Sequence, residues 1–484
     1  IQAHALRAPR ALALRDAART LSYAELDTLM NRIAAALQRD GLRVGDAVAL
    51  AGLATVEQAA LFLGILRAGM VATPLATSVT PTVFEGMLND AQAKLLFVDD
   101  TASALAPTGL RVIKLDDASF ETWLAPPGSR PAKAEITPES PFNIIYSSGT
   151  TGTPKGIVQS HGMRWAHVRR GLNYGYSETG VTLLATPLYS NTTLVVFFPT
   201  LAFGGCVALM SKFEAGTYLR LAAELRVTHT MLVPVQYQRL MAHADFDRHD
   251  LRRFITKFCT SAPFAAALKR DVLARWPGAL VEFYGMTEGG GTCILDARAH
   301  PDKLHTVGKP AEGHDIRLID EAGVEVAAGE AGEVVGHSPA MMTGYHGRPE
   351  KTREAEWYAP DGKRFIRTGD VGRFDAEDFL TLIDRRKDMI ISGGFNIYPS
   401  DLEAELHQHP AVLEAAVIGV PSEWGESPVA YVVLRAGQAL PAPELRAWLN
   451  ARVGKTQRLA GLRYLDELPR SAIGKVLKTA LREL

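Results

Sequence analysis

The 484-residue chain has only three cysteines, Cys206, Cys259 and Cys293, too scattered for a disulfide framework or for metal-ligand spacing. Buried thiols in a reducing compartment are expected. It also lacks a charge excess: 52 Lys and Arg against 53 Asp and Glu leave no overall attraction to a polyanion, so nucleic acid is not an expected partner. The opening IQAHALRAPR has no apolar run of the kind a signal peptide carries, which leads us to expect a cytoplasmic protein. The one long apolar stretch, Leu194 to Met210, is interrupted by Pro199 and the pair Gly204-Gly205, and predicts a buried helix, a turn and a buried strand in place of a membrane span. There is no internal repeat and no long low-complexity tract. What is present is 47% apolar residue content over a length that exceeds one ordinary core, so two or more globular domains are expected.

Along the chain, Ser22 and Glu25 form a capping-box pattern, and Leu26, Met30, Ile33 and Leu37 line one face of the helix that Gly41 ends. Ala47 to Leu50 reads as a strand, Glu57 to Ala68 as a helix and Met70 to Pro74 as extended chain, an alternation that predicts α/β layering with parallel sheets. Residues 125 to 141, rich in Pro, Ser and Ala, read as a surface connection before a strand over Phe142 to Tyr146. The alternation resumes from Leu221 to Leu280, and short Gly-punctuated strands from Asp315 to Gly344 predict a barrel-like or meandering β unit. Past Asp384 a charged run leads to a glycine pair and then to a helix beginning near Ser400, with Glu403 completing its capping box. Two helices and several strands, including Ala415 to Val420 and Val429 to Leu434, then predict a small α+β domain.

The strongest local signal is Tyr146-Ser147-Ser148-Gly149-Thr150-Thr151-Gly152-Thr153-Pro154-Lys155-Gly156, directly after a strand. The glycines let backbone N–H groups turn toward one point, the hydroxyls add donors, and Lys155 adds positive charge, the makings of a phosphate loop. Its spacing is not G-x-x-x-x-G-K-[ST], because Pro154 stands before the lysine where that pattern needs Gly. A flexible polar loop is the ordinary reading of such a stretch taken alone.

The run resembles the signature loop of the acyl-adenylate-forming superfamily, which includes acyl-CoA synthetases, aryl-CoA ligases, firefly luciferase and peptide-synthetase adenylation domains. Further motifs follow in order: Tyr284-Gly285-Met286-Thr287-Glu288 is similar to the family's YGxTE element, Thr368-Gly369-Asp370 to its TGD, and Asp384-Arg385-Arg386-Lys387-Asp388 to its hinge. Gly393-Gly394-Phe395-Asn396-Ile397-Tyr398-Pro399 and Pro469-Arg470-Ser471-Ala472-Ile473-Gly474-Lys475 resemble its two C-terminal-domain motifs. Alone, Glu288 reads as a solvated carboxylate, Asp370 as a turn residue and Lys475 as a surface cation. Their ordered co-occurrence over essentially the whole chain decides between the readings.

The resemblance implies an α/β fold: a large multi-layered N-terminal body (two α/β subdomains plus a distorted β-barrel-like unit) over residues 1–383, and a small mobile α+β domain over 384–484 hinged at Asp384. It implies an ATP-dependent carboxylic acid:CoA ligase with magnesium. A carboxylate is a poor acyl donor until attack on the α-phosphate of ATP converts its oxygen into the leaving group AMP, after which a thiol takes the acyl group. By resemblance Lys475 neutralises the charge developing on phosphorus, Thr287 and Glu288 lie at the α-phosphate and the magnesium, and Asp370 accepts from the ribose hydroxyls. Ser147, Ser148, Gly149, Thr150, Thr151, Gly152, Lys155, Tyr284, Gly285 and Arg385 complete the nucleotide set, and Gly393 and Gly394 serve the thioester step.

The family's acyl pocket is usually lined by the segment here reading Tyr189, Ser190 and Asn191, with Ser190 where a histidine commonly stands, and by Gly289 and Gly290 beyond Glu288. Between Val181 and Lys212 there is no Asp or Glu to pair a substrate ammonium, which argues against an amino acid. Ser190, Asn191 and Thr192 suit a small branched or hydroxylated acid, with aryl or medium-chain acids as the alternative. The chain ends soon after Lys475, which favours free coenzyme A over an in-line carrier. A nonenzymatic nucleotide-binding relative is the alternative of another class, and retention of Glu288 and Lys475 argues against it.

Overall fold

The computed structural model describes every residue except 116, 148–153, 386–387, 393–394, 424 and 472–473, and only the backbone at 117, 147, 385, 395–396 and 456. The chain forms two compact units, Ile1–Asp315 with Gly336–Ile366, and Ile316–Val335 with Arg367–Leu484.

In the first unit the capping box closes as expected: Glu25 Oε2 accepts from Ser22 N at 2.8 Å and Ser22 Oγ from Glu25 N at 3.3 Å. The helix Tyr23–Arg39 buries Leu26, Met30, Ile33 and Leu37, and Gly41 leaves it at φ +85°. With the helices Val56–Arg67 and Asn191–Ala202 it fills one continuous core that also takes in strand residues Val48, Phe97, Leu184, Val207 and Phe258. That core joins two sheets. One runs in the order Gly344–Tyr345, Lys155–Ser160, Pro141–Ser147, Val71–Leu75, Ala47–Ala51, Leu95–Val98, Val112–Lys114, antiparallel across its first two pairs and parallel beyond. The other runs Lys309–Pro310, Thr292–Asp296, Ala279–Gly285, Thr256–Cys259, His229–Leu232, Val181–Leu184, Cys206–Leu209, Leu12–Arg15, Thr20–Ser22, parallel in the middle and antiparallel at both edges. The sheets are therefore mixed where alternation alone predicted parallel ones: the short links at Thr20, after Gly285 and after Ser147 can join only antiparallel neighbours, and two further edge strands, Gly344–Tyr345 and Lys309–Pro310, add antiparallel from farther along the chain.

Leu194 to Met210 forms the expected helix, turn and buried strand, but Pro199 sits inside the helix, ninth of its twelve residues, and the break falls at Gly204 with φ +82°. A proline there gives up its own N–H bond to the residue four before it, a cost offset by the burial of Leu194, Val196, Phe197 and Leu201 on the same helix. Among the described residues no helix is long and apolar enough to cross a membrane, and all three cysteines are buried and unpaired.

The second unit holds the ladder of Arg364–Phe374 (from Arg367 onward) with Leu380–Arg385 and a sheet built on the long hairpin Val412–Ser422 and Gly425–Leu434. Leu402, Leu406, Leu445 and Leu449 pack on one face of that sheet with Val417 and Val432. Leu468 and Leu481 cover the other with Ile418, Tyr431 and Val433, the alternation that a two-sided strand requires. Beyond the two expected helices, Pro399–Leu406 and Ala442–Asn450, a third short one spans Lys478–Arg482. The Ser400 and Glu403 capping box does not form. Pro399 takes the first helical position and Tyr398 the cap. Ser400 N donates to Asp384 Oδ2 at 3.0 Å and its hydroxyl to the Ile383 carbonyl, while Glu403 accepts from Val417 N at 2.8 Å and pairs with Lys478 at 2.8 Å. Asp384 thus does the capping from sixteen residues away.

Candidate active site

The segment predicted to bind phosphate falls in sequence between two antiparallel strands in which Ser147 pairs with Lys155 and Tyr146 with Gly156. A strand follows it, where a helix follows in the G-x-x-x-x-G-K-[ST] proteins. Ser148, Gly149, Thr150, Thr151 and Gly152 lie outside the described residues, as does the side chain of Ser147. The base of the loop is anchored: Tyr146 donates its hydroxyl to Asp90 Oδ2 and to the Met87 carbonyl, both at 2.9 Å. Arg348 grips Asp90 Oδ1 at 2.8 and 2.6 Å, and His346 Nδ1 donates to the Asp90 carbonyl at 2.7 Å.

The strand Ala279–Gly285 delivers Tyr284 and Gly285 to its end, and the turn that follows carries Thr287 and Glu288. The Thr287 carbonyl accepts from Gln159 Nε2 at 2.7 Å and the Glu288 carbonyl from Met342 N at 2.8 Å, so the turn is held from both sides. The Glu288 carboxylate, 8% exposed, accepts from the Tyr345 hydroxyl at 2.9 Å. The ring of that tyrosine lies 4.9 Å from Lys155 Nζ. One side chain therefore supports both the cation of the phosphate loop and the carboxylate of the YGMTE turn. Burial, then the neighbouring Glu288, push the Tyr345 phenol well up, which keeps it a donor. No sequence motif marks Tyr345; its position follows from register, since Tyr345 pairs with Ile157 on the strand that begins at Lys155.

Gly289 and Gly290 have a packing reason of their own. A Cβ on Gly289, which sits at φ +72°, would lie 1.8 Å from the Ala340 carbonyl oxygen, and one on Gly290 would lie 2.5 Å from Ile366 Cβ. Of the other predicted pocket residues, Tyr189 is half-buried, and Ser190 caps the helix Asn191–Ala202 by accepting from Thr192 N at 3.3 Å. Asn191 Oδ1 accepts from Arg164 Nη1 at 2.8 Å, and Thr192 Oγ1 shares a 2.7 Å hydrogen bond with Ser261 Oγ. These side chains are engaged by the protein itself.

Arg164, 2% exposed, likewise belongs to no motif of the sequence. It donates to Asn143 Oδ1 at 3.0 Å, to Asn191 and to Gln159 Oε1, and Gln159 carries the connection on to Thr287. Its partners are three amide oxygens and, at 3.5 Å, the Nδ1 of His167, and burial brings it down to about 9.

The remaining predicted residues belong to the second unit. Asp370 follows Gly369, at φ +72°, and its N–H donates to Thr368 Oγ1 at 3.0 Å. In the ladder Asp370 pairs with Arg385 and Val371 with Asp384, so register alone brings Asp370, the Arg385 backbone and Asp384 together; the Arg385 side chain is outside the described residues. Gly393 and Gly394 are outside them too. Ser471 N donates to the Lys475 carbonyl at 2.8 Å, and Arg470 donates to Gly474 O at 2.7 Å and to Glu414 at 2.8 Å.

No three His, Cys, Asp or Glu side chains converge among the described residues. Magnesium that arrives on ATP is held by one or two carboxylates together with phosphates, and the buried carboxylate of Glu288, whose partner Tyr345 lies against Lys155, fits that mode.

Comparison with known proteins agrees. Residues 1–346 match the model of the AMP-binding enzyme family and residues 401–475 that of its C-terminal domain. The chain is 36% identical to a feruloyl-CoA synthase of Amycolatopsis sp, over 98% of this chain and 96% of that one. It superposes on ATP-bound MatB from Rhodopseudomonas palustris with a TM-score of 0.87 at 31% identity, covering 98% of this chain and 95% of the other. The o-succinylbenzoate CoA synthetase of Bacillus subtilis, solved with its acyl-adenylate intermediate, gives 0.88 at 28% identity, covering 100% and 97%. The chain belongs to the AMP-binding enzyme family and is an AMP-forming acid:CoA ligase that uses ATP, magnesium and coenzyme A.

Proposed function

We propose that the two half-reactions divide among the side chains as follows. A carboxylate oxygen of the acid attacks the α-phosphorus of ATP and pyrophosphate leaves. Lys155 and the loop Ser147 to Gly152 bind the phosphates, Thr287 lies at the α-phosphate, and Glu288 would hold the magnesium, which lowers the repulsion between the two anions. Tyr284 and Gly285 flank the adenine, Asp370 and Arg385 take the ribose, and Lys475 neutralises the charge on phosphorus. The thiol of coenzyme A then attacks the acyl carbon and AMP leaves, with Gly393 and Gly394 beside the incoming thiol. The observation that carries this reading is the contact chain Lys155, Tyr345, Glu288, which joins two sequence-distant motifs at one point.

Domain division at residue 384, with Asp384 as the pivot, belongs to the same proposal. Its support is the double fixing of Asp384, by backbone pairing to Val371 and by its carboxylate to Ser400 N. Measuring the half-reactions separately tests it. Lys475→Ala is expected to remove acid-dependent ATP–pyrophosphate exchange while sparing thiolysis of added acyl-adenylate, and Gly394→Leu is expected to do the reverse. Equal losses of both half-reactions in either variant contradict the division.

For the acid we propose an aryl or similarly extended substrate over a short hydroxylated one. The polar groups that suggested a hydroxylated acid, on Ser190, Asn191 and Thr192, all have protein partners. The printed activities of similar proteins, on feruloyl and o-succinylbenzoyl groups, point the same way. Three unpaired cysteines and the need for ATP and coenzyme A support a cytoplasmic site of action.

A further inference from the structure

The helix His161–Arg170 carries Arg164, His167 and Arg170 three residues apart, so each neighbours the next along its surface. At the Arg164 end the row is tied to Asn191 and, through Gln159, to Thr287. At the other end, six residues and roughly 9 Å of helix rise away, the Arg170 guanidinium lies 4.7 Å over the ring of Phe283, on the strand that leads to Tyr284. A guanidinium laid flat on a ring turns its N–H groups outward at the edge. Among the described residues those N–H groups meet no hydrogen-bond acceptor and no carboxylate, and Arg170 is half-buried.

Three more groups face the same region. The hydroxyl of Tyr176 is buried with no partner, and its ring is fixed by stacking on His229 at 4.2 Å. Tyr176 and Arg170 feel one another electrostatically. His314 Nδ1 accepts from Thr292 N at 2.9 Å, which leaves the proton of the neutral ring on Nε2 as a further donor. His167 lies within the field of Arg164, Arg170 and His314. Burial, with the arginines, keeps both imidazoles neutral, His314 down to about 4. The carboxylate felt nearby is Asp296, which acts on Tyr174 and already accepts the N–H groups of Arg298 and Ala299. His167 and Arg170 are both half-buried. The walls are aromatic: Phe258 stacks on Phe283 at 5.4 Å and Tyr174 meets both edge-on.

A half-buried cation with no counter-charge, near a buried hydroxyl that has no partner, is costly unless an acceptor arrives from outside. We infer that the acid this enzyme activates carries a second carboxylate at its far end, separated from the reacting one by an aromatic or comparably long apolar spacer, and that Arg170 and Tyr176 bind it. A carboxylate matches the guanidinium fork with two parallel hydrogen bonds, and the neutral imidazole of His314 adds a donor without adding charge. This deepens the acid:CoA ligase reading and rests on it.

The test compares 3-(4-carboxyphenyl)propanoate with 3-phenylpropanoate by coenzyme A-dependent AMP release. Wild type is expected to favour the diacid about 10- to 100-fold in kcat/KM. Arg170→Met should collapse that ratio, Arg170→Lys should restore part of it, and Tyr176→Phe should lower it by a smaller factor. A wild-type ratio near one, or a preference for the monoacid, overturns the inference whatever the variants do. A diacid preference that survives Arg170→Met overturns the assignment to Arg170. Activation of monoacids alone leaves the ligase reading standing, whereas no acid-dependent AMP release from any acid in a broad panel removes both.

Discussion

Tyr345→Phe isolates a single interaction. It deletes the hydroxyl that donates to Glu288 Oε1 at 2.9 Å and keeps the ring that lies 4.9 Å from Lys155 Nζ, so packing and the cation contact persist. Glu288 is 8% exposed, so water does not readily replace the lost donor. A hydrogen bond to a buried charged group is worth about 1.5 to 3 kcal/mol, which converts to a rate loss of about 10- to 150-fold if the geometry of Glu288 matters to the transition state. The loss should fall on the adenylating half-reaction, read as acid-dependent ATP–pyrophosphate exchange, and should be accompanied by a higher magnesium requirement. Thiolysis of preformed acyl-adenylate should change by less than about threefold, a loss below 1 kcal/mol. Unchanged exchange, or an equal fall in both half-reactions, refutes the reasoning.

Other consequences follow from buried contacts. Lys257, wholly buried, donates to the carbonyls of Trp276, Pro277 and Gly278 at 3.1, 2.6 and 3.0 Å and so caps the C-terminal end of the helix Ala266–Arg275; Lys257→Met should cost about 2 to 4 kcal/mol in denaturant unfolding. Burial, then Arg298, bring Lys257 down to about 7 from 10.5, so between those pH values the unfolded chain binds more protons and the lysine's contribution grows as pH rises. The gap in stability between wild type and Lys257→Met should therefore widen from pH 7 to 9, and a constant gap would mean that the three carbonyls hold the proton on. Gly289→Ala places a Cβ 1.8 Å from the Ala340 carbonyl at φ +72°; the turn must move, so exchange activity should be lost together with about 2 to 4 kcal/mol of stability. Arg164→Met strands the acceptors on Asn143, Gln159 and Asn191 and should lower the melting temperature by several degrees, an effect that calorimetry reads directly.

Local features were the legible ones. The Ser22 and Glu25 capping box, the stripe from Leu26 to Leu37 and the strand before the phosphate loop depend on residues within a turn or two of one another, and each formed as read. Ser400 and Glu403 have the same local spelling but form no box, because Asp384, Ile383, Val417 and Lys478 offer them better partners from fourteen to seventy-five residues away. Tyr345 is fifty-seven residues from Glu288 and Arg164 is twenty-seven from Asn191, and nothing in the intervening sequence announces either contact. The motifs were visible because chemistry restricts residue type at the site. Which tyrosine or arginine supports them is settled by sheet register and helix packing, and these emerge only in the fold. Gly289 and Gly290 stand between the two cases: their presence was plain, but the reason, the approach of Ala340 and Ile366, was not.

The central claim is that this chain joins a carboxylic acid to coenzyme A through an acyl-adenylate. The most direct measurement is ATP–pyrophosphate exchange and AMP release over a panel of mono- and dicarboxylic acids, aromatic and aliphatic, with and without coenzyme A. Exchange that depends on the acid alone, with AMP turnover that depends on coenzyme A as well, is the predicted result. ATP binding without exchange for any acid would contradict the account and leave a nucleotide-binding protein that has kept the fold without the reaction.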